Sequence, residues 1–129
     1  MGIYLAVWYA EAAPTLQEAL GYYRTLAEAR VITKWNPNVE AFYGDLCLRY
    51  PEIDSLEEDA LDRCPWSCAH EKSDGYLIMC LNDGNHLAQT AAFVFELAAR
   101  HRLVCFDPQG PTLSLPPGLQ QRQSRFRFW

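Results

Sequence analysis

The stretch Ile3-Tyr-Leu-Ala-Val-Trp-Tyr9 decides how this chain folds. It is a nearly continuous run of apolar, aromatic and β-branched side chains, and it stops at a loop that contains Pro14. A strand with one solvated face alternates apolar and polar residues, whereas a strand covered on both faces is apolar throughout. The sequence therefore predicts that Ile3 to Tyr9 is a buried strand of a sheet.

Three helices are predicted beyond this strand. Thr15 and Glu18 have the spacing of a capping box, in which the hydroxyl and the carboxylate each accept a backbone N–H, and they begin the first helix. The pair Asn36-Pro37 supplies a cap and a first-turn proline for the second. Asp83 or Asn85 is predicted to cap the third helix, which follows a strand.

Four further strands complete the predicted fold. Residues 67–71 and 76–81 flank a turn signal and suggest a hairpin, and residues 103–106 and 112–115 are short apolar strands. The order β-α-α-β-β-α-β-β predicts an α+β fold, with a small, mainly antiparallel sheet and helices packed on one face. The alternative is a mixed sheet in which residues 103–106 run parallel to the preceding strand through a right-handed crossover.

The chain length fits one domain, and the composition separates a body from a tail. We assign residues 1–117 to a single α+β domain and residues 118–129 to a C-terminal tail. Alternation of Arg125, Phe126, Arg127 and Phe128 favours an edge strand, whereas the Gln-rich stretch before it favours a flexible end. We expect the tail aromatics to dock on the body, because an exposed aromatic end promotes aggregation.

Charge and composition exclude several classes of partner. All 16 acidic residues and only 8 of the 11 basic residues precede residue 118, so the body repels nucleic acid phosphates. The longest apolar runs are too short to span a membrane, and no signal-like segment is recognised. Five cysteines, an odd number without a disulfide pattern, suit a reducing compartment. The sequence predicts a cytoplasmic protein that binds neither nucleic acid nor membrane.

A surface for a basic partner is predicted in Tyr50-Pro-Glu-Ile-Asp-Ser-Leu-Glu-Glu-Asp-Ala-Leu-Asp-Arg-Cys-Pro-Trp66. Runs of acids are commonly solvated loops, and that interpretation stays open beside partner binding. A tryptophan beside a charged field, such as Trp66, is typical of an interface with an aromatic anchor and a polar rim. The predicted partner-binding residues are Glu52, Asp54, Glu57, Glu58, Asp59, Asp62 and Trp66.

Cys64, Cys68 and His70 form a Cys-x3-Cys-x-His cluster that could supply three ligands of a metal site. A fourth ligand would have to come from His86 or His101. Structural zinc sites usually combine two clusters with Cys-x2–4-Cys spacing, and only one cluster is present here. We therefore predict no metal and no cofactor.

No catalytic signature accompanies the acidic stretch. A cysteine nucleophile could meet His70, His86 or His101 in space, but no local motif supports such a pair. The acids of residues 52–62 lack the apolar pocket that raises the pKa of a general acid, and no phosphate-binding glycine loop occurs. The sequence therefore favours a binding protein over an enzyme.

Several stretches of the chain resemble landmarks of a known family. They are Tyr4-Leu-Ala-Val-Trp8, Tyr50-Pro-Glu-Ile-Asp54, Cys64-Pro-Trp66, Leu97-Ala-Ala-Arg-His101 and Leu103-Val-Cys-Phe-Asp-Pro-Gln109. Together they resemble a family of small bacterial proteins that includes immunity proteins of polymorphic toxin systems. The resemblance spans residues 3 to about 115. Cys64 stands where such relatives often have Asp or Ser before Pro-Trp.

The resemblance implies that the protein neutralises a cognate toxin domain by direct binding. It supplies no set of functional residues, so the site is assigned from the acidic stretch, with Trp66 and the carboxylates contacting a basic surface of the toxin. The alternative is a small enzyme, either a metal-dependent or a Cys/His hydrolase, that acts on a toxin product or a small molecule.

Overall fold

A computed structural model describes residues 2–119 of the chain. These residues form five strands and three long helices in the order that the sequence predicts, and the α+β class is confirmed. The elements are β1 Gly2–Trp8, α1 Leu16–Ala27, α2 Pro37–Arg49, β2 Glu71–Lys72, β3 Tyr76–Asn82, α3 Leu87–Arg100, β4 Val104–Asp107 and β5 Thr112–Ser114. Within these described residues, no helix is long and apolar enough to cross a membrane.

The strands form one antiparallel sheet in the order β2-β3-β1-β4-β5. The central strand is β1, which pairs with β3 along its whole length, from Gly2 opposite Asn82 onwards. On its other side β1 pairs with β4, where Ala6 lies opposite Phe106. Strands β3 and β4 run in the same direction, as the alternative expected, but β1 lies between them and every pairing is antiparallel, so the mixed sheet of that alternative is wrong. The first four strands have the split βαβ arrangement.

Helices cover both faces of this sheet. One core cluster joins the strands to α2 and α3 and includes Leu5, Val7, Phe42, Met79 and Val94. A second cluster joins the same strands to α1 and includes Ala6, Trp8, Leu26, Ile78 and Phe106. The prediction that the helices pack on one face is therefore wrong. The apolar run of β1 had already indicated two covered faces, because residues that alternate between faces are apolar on both.

The predicted caps of the first two helices are confirmed. In α1 the Thr15 hydroxyl accepts the Glu18 N–H at 3.1 Å, and a Glu18 carboxylate oxygen accepts the Thr15 N–H at 2.9 Å. In α2 the Asn36 side-chain oxygen accepts the N–H groups of Asn38 at 2.9 Å and Val39 at 3.2 Å. These bonds satisfy donors that have no partner inside a helix, and they fix where each helix starts.

The third helix begins differently from the prediction. Its N-cap is His86, which makes no side-chain capping bond, and neither Asp83 nor Asn85 serves as the cap. The turn closes instead through the backbone, with the Leu87 N–H donating to the Gly84 carbonyl at 3.1 Å. The Asp-Gly-Asn run thus forms a turn ahead of the helix, and its side chains face the exterior.

The chain that enters the hairpin lies along the end of β3. Strand β2 is shorter than residues 67–71, but Trp66 forms an isolated bridge with Leu81, and the Ser67 N–H donates to the Cys80 carbonyl at 2.8 Å. The Asn82 amide group donates to the carbonyls of Cys64 at 2.9 Å and Trp66 at 3.1 Å. These bonds fix the segment between the acidic stretch and β2 against the sheet.

The described chain ends inside the second core cluster. Leu119 is buried there with Leu115, although it falls within the predicted tail of residues 118–129. The Leu119 N–H donates to the Pro116 carbonyl at 3.0 Å. The predicted edge strand and the docking of the tail aromatics fall on residues 120–129, outside the described residues.

Candidate interaction surface

The acidic stretch folds into two short 3₁₀ helices, Ile53–Ser55 and Glu58–Arg63. The first is closed by the Ser55 N–H and hydroxyl, which both donate to the Glu52 carbonyl, at 3.0 and 2.7 Å. Ile53 and Leu56 pack against the core cluster of α2 and α3. The segment is thus attached to the body by its apolar residues, and its acids point outwards.

Five of the six predicted acids are exposed and form the feature that we call the acidic surface: Asp54, Glu57, Glu58, Asp59 and Asp62. None of them makes a hydrogen bond or an ion pair through its side chain with a residue in the range 2–119. Arg63 is the one basic residue of the segment and forms no ion pair with these acids, so the five like charges repel one another and are left mainly to solvent ions or to a partner.

The sixth acid, Glu52, is part of the fold. The Tyr43 hydroxyl donates to one carboxylate oxygen at 2.6 Å, and the His70 backbone N–H donates to the other at 3.0 Å. Burial raises the pKa of Glu52, but these two hydrogen bonds outweigh it, and the net pKa is lowered. The bond to Glu52, with burial, also raises the pKa of Tyr43. Glu52 therefore stabilises the join between α2 and the chain before β2.

Trp66 lies in the core, which corrects its predicted place at the surface. Its side chain is 1% exposed, and its indole N–H donates to the Tyr50 carbonyl at 3.2 Å. The ring meets the His70 ring edge-on, with the centroids 4.4 Å apart. The side chain has no surface to offer a partner in this fold. The Pro-Trp turn is therefore a structural element beside the acidic surface.

Several large apolar side chains are exposed in and around α2 and the acidic stretch, among them Leu48 on α2, which is 85% exposed. Leu61, in the second 3₁₀ helix, is 40% exposed among the acids, and Trp35, before α2, is 60% exposed. The Trp35 loop is tied to the start of β3, since the Asn36 N–H donates to the Asp74 carbonyl at 3.0 Å. The acidic surface adjoins the other end of β3. Leu61 is thus an apolar residue within the acidic surface. In the sequence, only its acidic neighbours indicated that it would lie there.

A cavity of about 450 Å³ opens beside the acidic surface, between the second 3₁₀ helix and the start of α3. It is lined by Asp62, Cys64, Pro65, Asn82, Asp83, Gly84, Asn85, His86 and Leu87. Two carboxylates at its walls extend the negative field inwards from the surface. The cavity also brings Cys64 and His86 to one place, although no hydrogen bond joins them and Cys64 packs into the core cluster.

The cysteines and histidine of the Cys-x3-Cys-x-His cluster are not gathered into a site. Cys64 is buried beside the core, Cys68 is exposed next to Cys80, and His70 lies against Trp66. Within residues 2–119, no three His, Cys, Asp or Glu side chains are placed to hold a metal ion together.

The histidines are engaged in structural contacts or lie apart from the thiols. Both ring nitrogens of His70 are buried with no hydrogen-bond partner among the described residues, and burial lowers the pKa of His70. The His101 ring contacts Asp45 at 2.8 Å. Among residues 2–119, no hydrogen bond joins a histidine ring to a cysteine thiol. Burial raises the pKa of Cys47, which disfavours the reactive thiolate form of that residue.

Comparisons with protein-family models, with curated proteins and with solved structures find no match to this chain. The resemblance to immunity proteins accordingly stays a prediction from the sequence. The exposed carboxylates and the apolar side chain among them are the features of the fold that bear on function.

Proposed function

We propose that the protein is a bacterial immunity protein, a non-enzymatic inhibitor that binds and neutralises a cognate polymorphic toxin in the cytoplasm. The acidic surface contacts a basic surface of the toxin domain. The observation that carries this proposal is the set of five exposed carboxylates that make no ion pair within the described fold. Toxins that act on nucleic acid or phosphorylated substrates present positive charge at their active sites, which such a surface complements.

The acidic surface is suited to fast and specific association. Negative charge concentrated on one segment steers a basic partner during diffusion, and charge pairs at the rim fix its orientation. Leu61 supplies apolar area at the centre of the charges, in the place that Trp66 was predicted to fill. The segment is held by Glu52, Ile53 and Leu56, so its backbone loses little further freedom on binding.

The decisive experiment replaces Glu57, Glu58 and Asp59 by alanine together and tests protection in cells that co-express the adjacent toxin gene. We expect protection to be lost while the melting temperature stays close to that of the wild type, because these side chains make no bond within the described fold. Association measured with the purified toxin should slow by about tenfold or more at low salt.

A matched control removes the same amount of charge elsewhere. Glu28, Glu71 and Glu96 are exposed and lie outside the acidic surface. Replacing these three by alanine should leave protection and the association rate close to wild type. Full protection by the first triple variant, in a protein that remains folded, would show that the toxin binds elsewhere.

A small hydrolase is the second candidate, and the cavity that Cys64 and His86 share is the observation in its favour. An enzyme that removes a toxin product protects when it is far less abundant than the toxin, whereas an occluding inhibitor needs one copy for each toxin molecule. Replacing Cys64 by serine would abolish protection by a thiol hydrolase and leave an occluding inhibitor active. Titration of protein against toxin therefore separates the two candidates.

A further inference from the structure

Cys68 and Cys80 lie near each other at the edge of the sheet, where the chain before β2 runs along β3. Ser67 is bonded through its N–H to the Cys80 carbonyl at 2.8 Å, and Cys68 is the next residue, one Cα step of about 3.8 Å further on. Burial and the nearby Cys80 thiol together raise the pKa of Cys68, so the two thiols are close in the fold. Both cysteines are free. The backbone thus holds together two thiols from segments on either side of the hairpin turn.

The two thiols differ in their access to solvent. Cys68 is exposed, whereas Cys80 is buried on β3. Tyr4 lies directly opposite Cys80 on β1, and a side chain added at Gly2 would collide with the Cys80 sulfur, so the start of β1 closes over this thiol. A small reagent therefore reaches Cys68 first, and Cys80 is placed to react with whatever is bound to Cys68.

We propose that Cys68 and Cys80 form a thiol–disulfide exchange site whose substrate is a low-molecular-weight disulfide such as glutathione disulfide. The Cys68 thiolate attacks one glutathione sulfur, which forms a mixed disulfide and releases one reduced glutathione. The Cys80 thiolate then attacks the Cys68 sulfur and displaces the second glutathione. Two protein thiols are oxidised to one disulfide, one glutathione disulfide is reduced to two thiols, and the two protons pass to the released glutathione thiolates.

The crosslink would lock the chain that follows the acidic surface. It closes a loop over residues 68–80, which contains the β2–β3 turn, and joins the segment after Trp66 covalently to the sheet. A loop of about a dozen residues raises the melting temperature by roughly 5–10 °C, because the crosslink restricts the unfolded chain. This inference does not rest on the proposed function, since it concerns the thiols alone.

The rate of the exchange should depend steeply on pH. Burial and the neighbouring Cys80 raise the pKa of Cys68. Glu71 on β2 acts in the same direction, and on β1 the Tyr4 hydroxyl also faces this pair. Only the thiolate attacks, and its fraction grows with pH up to the pKa, so the rate should rise about tenfold per pH unit from pH 7 to 8.

The test uses the full chain, fully reduced, and incubates it with glutathione disulfide at pH 8 before blocking the remaining thiols. We expect two of the five thiols to be lost. Tryptic digestion should then give one crosslinked product that joins peptides 64–72 and 73–100, which separates on reduction. Five thiols that stay free, or a product that stops at a mixed disulfide on Cys68, would overturn the proposal. A link between Cys64 and Cys68, which stays inside peptide 64–72, would also overturn it.

Three serine variants assign the roles of the individual thiols. In Cys80→Ser the mixed disulfide on Cys68 should accumulate, because no second thiol resolves it, and in Cys68→Ser oxidation should fall to background. Cys64→Ser should still form the crosslink between the two peptides, since Cys64 contributes no thiol to the pair. A Cys64→Ser protein that fails to crosslink, while it remains folded, would assign the reaction to Cys64 and overturn the proposal.

Discussion

Replacing Glu52 by alanine removes the acceptor of two hydrogen bonds that join three parts of the chain. Its carboxylate receives the Tyr43 hydroxyl of α2 and the His70 backbone N–H ahead of β2. Hydrogen bonds to charged groups contribute about 1.5–3 kcal/mol each. Because Glu52 is half-buried, water can bond to the Tyr43 hydroxyl and the His70 N–H in the variant and compensate for part of the lost hydrogen bonding. We therefore expect the free energy of unfolding to fall by about 2–4 kcal/mol.

Companion variants separate the two bonds. Tyr43→Phe removes only the hydroxyl donor and should lower the free energy of unfolding by about 1–2 kcal/mol. Adding it to Glu52→Ala should cost less than the sum of the two single changes, because the same bond is already absent. Asp54→Ala is the matched control, since this acid lies in the same segment, is exposed and has no bonded partner among the described residues; it should change stability by less than about 0.5 kcal/mol.

Urea denaturation followed by tryptophan fluorescence measures these differences, because the buried Trp66 ring becomes solvated on unfolding. The reasoning is refuted if Glu52→Ala unfolds within about 0.5 kcal/mol of the wild type, a shift expected of an ordinary surface residue. A confirmed loss would show that one of the six acids stabilises the fold while the other five remain available for recognition.

Three further predictions address the core, the pH dependence and the tail. Trp66→Ala should lower the free energy of unfolding by about 3–5 kcal/mol, since a fully buried ring leaves a cavity; because this variant lacks the fluorescent reporter Trp66, urea denaturation is followed here by far-UV circular dichroism. His70 has a lowered pKa in the fold, so only the unfolded chain takes up its proton just below about pH 6.5. Stability should therefore be constant above that pH and fall as the pH drops below it, and His70→Phe should flatten this dependence; an unchanged urea midpoint from pH 7.5 to 5.5 in the wild type would contradict it. Deleting residues 118–129 should lower the melting temperature, because Leu119 leaves the core, and should keep toxin binding; lost binding at unchanged stability would contradict this.

Local signals in the sequence predicted much of the fold. The capping box at Thr15 and the Asn36-Pro37 pair act over three or four residues, so the bonds that they make are already specified in the sequence. The apolar run of β1 likewise predicts, from its own residues alone, that this strand is buried. Such features need no knowledge of the rest of the chain, and each was found where the sequence placed it.

Features that depend on distant contacts were missed or misplaced. Trp66 follows the acids in the sequence, but its backbone bridge to Leu81 places the side chain in the core. No local sequence pattern predicts that pairing. In the sequence, Glu52 cannot be distinguished from its acidic neighbours. Only the fold brings the Tyr43 hydroxyl and the His70 backbone N–H to its carboxylate. The face that α1 covers also depends on the path of the loops. Sequence reasoning therefore found the acidic stretch but could not tell which of its members are structural.

The central place of β1 in the sheet shapes how the protein is made. Ala6 pairs with Ile78 on one side and with Phe106 on the other. Both partners lie far later in the sequence, so the ribosome completes β1 well before either neighbouring strand. At synthesis rates of about 5–20 residues per second, an apolar strand with two open edges waits roughly 5–20 s for its second neighbour. Sheets whose pairings lie so far apart along the chain also fold slowly. Newly made chains of this protein are thus most prone to aggregate through β1, and the last pairing, with β4, ends that exposure.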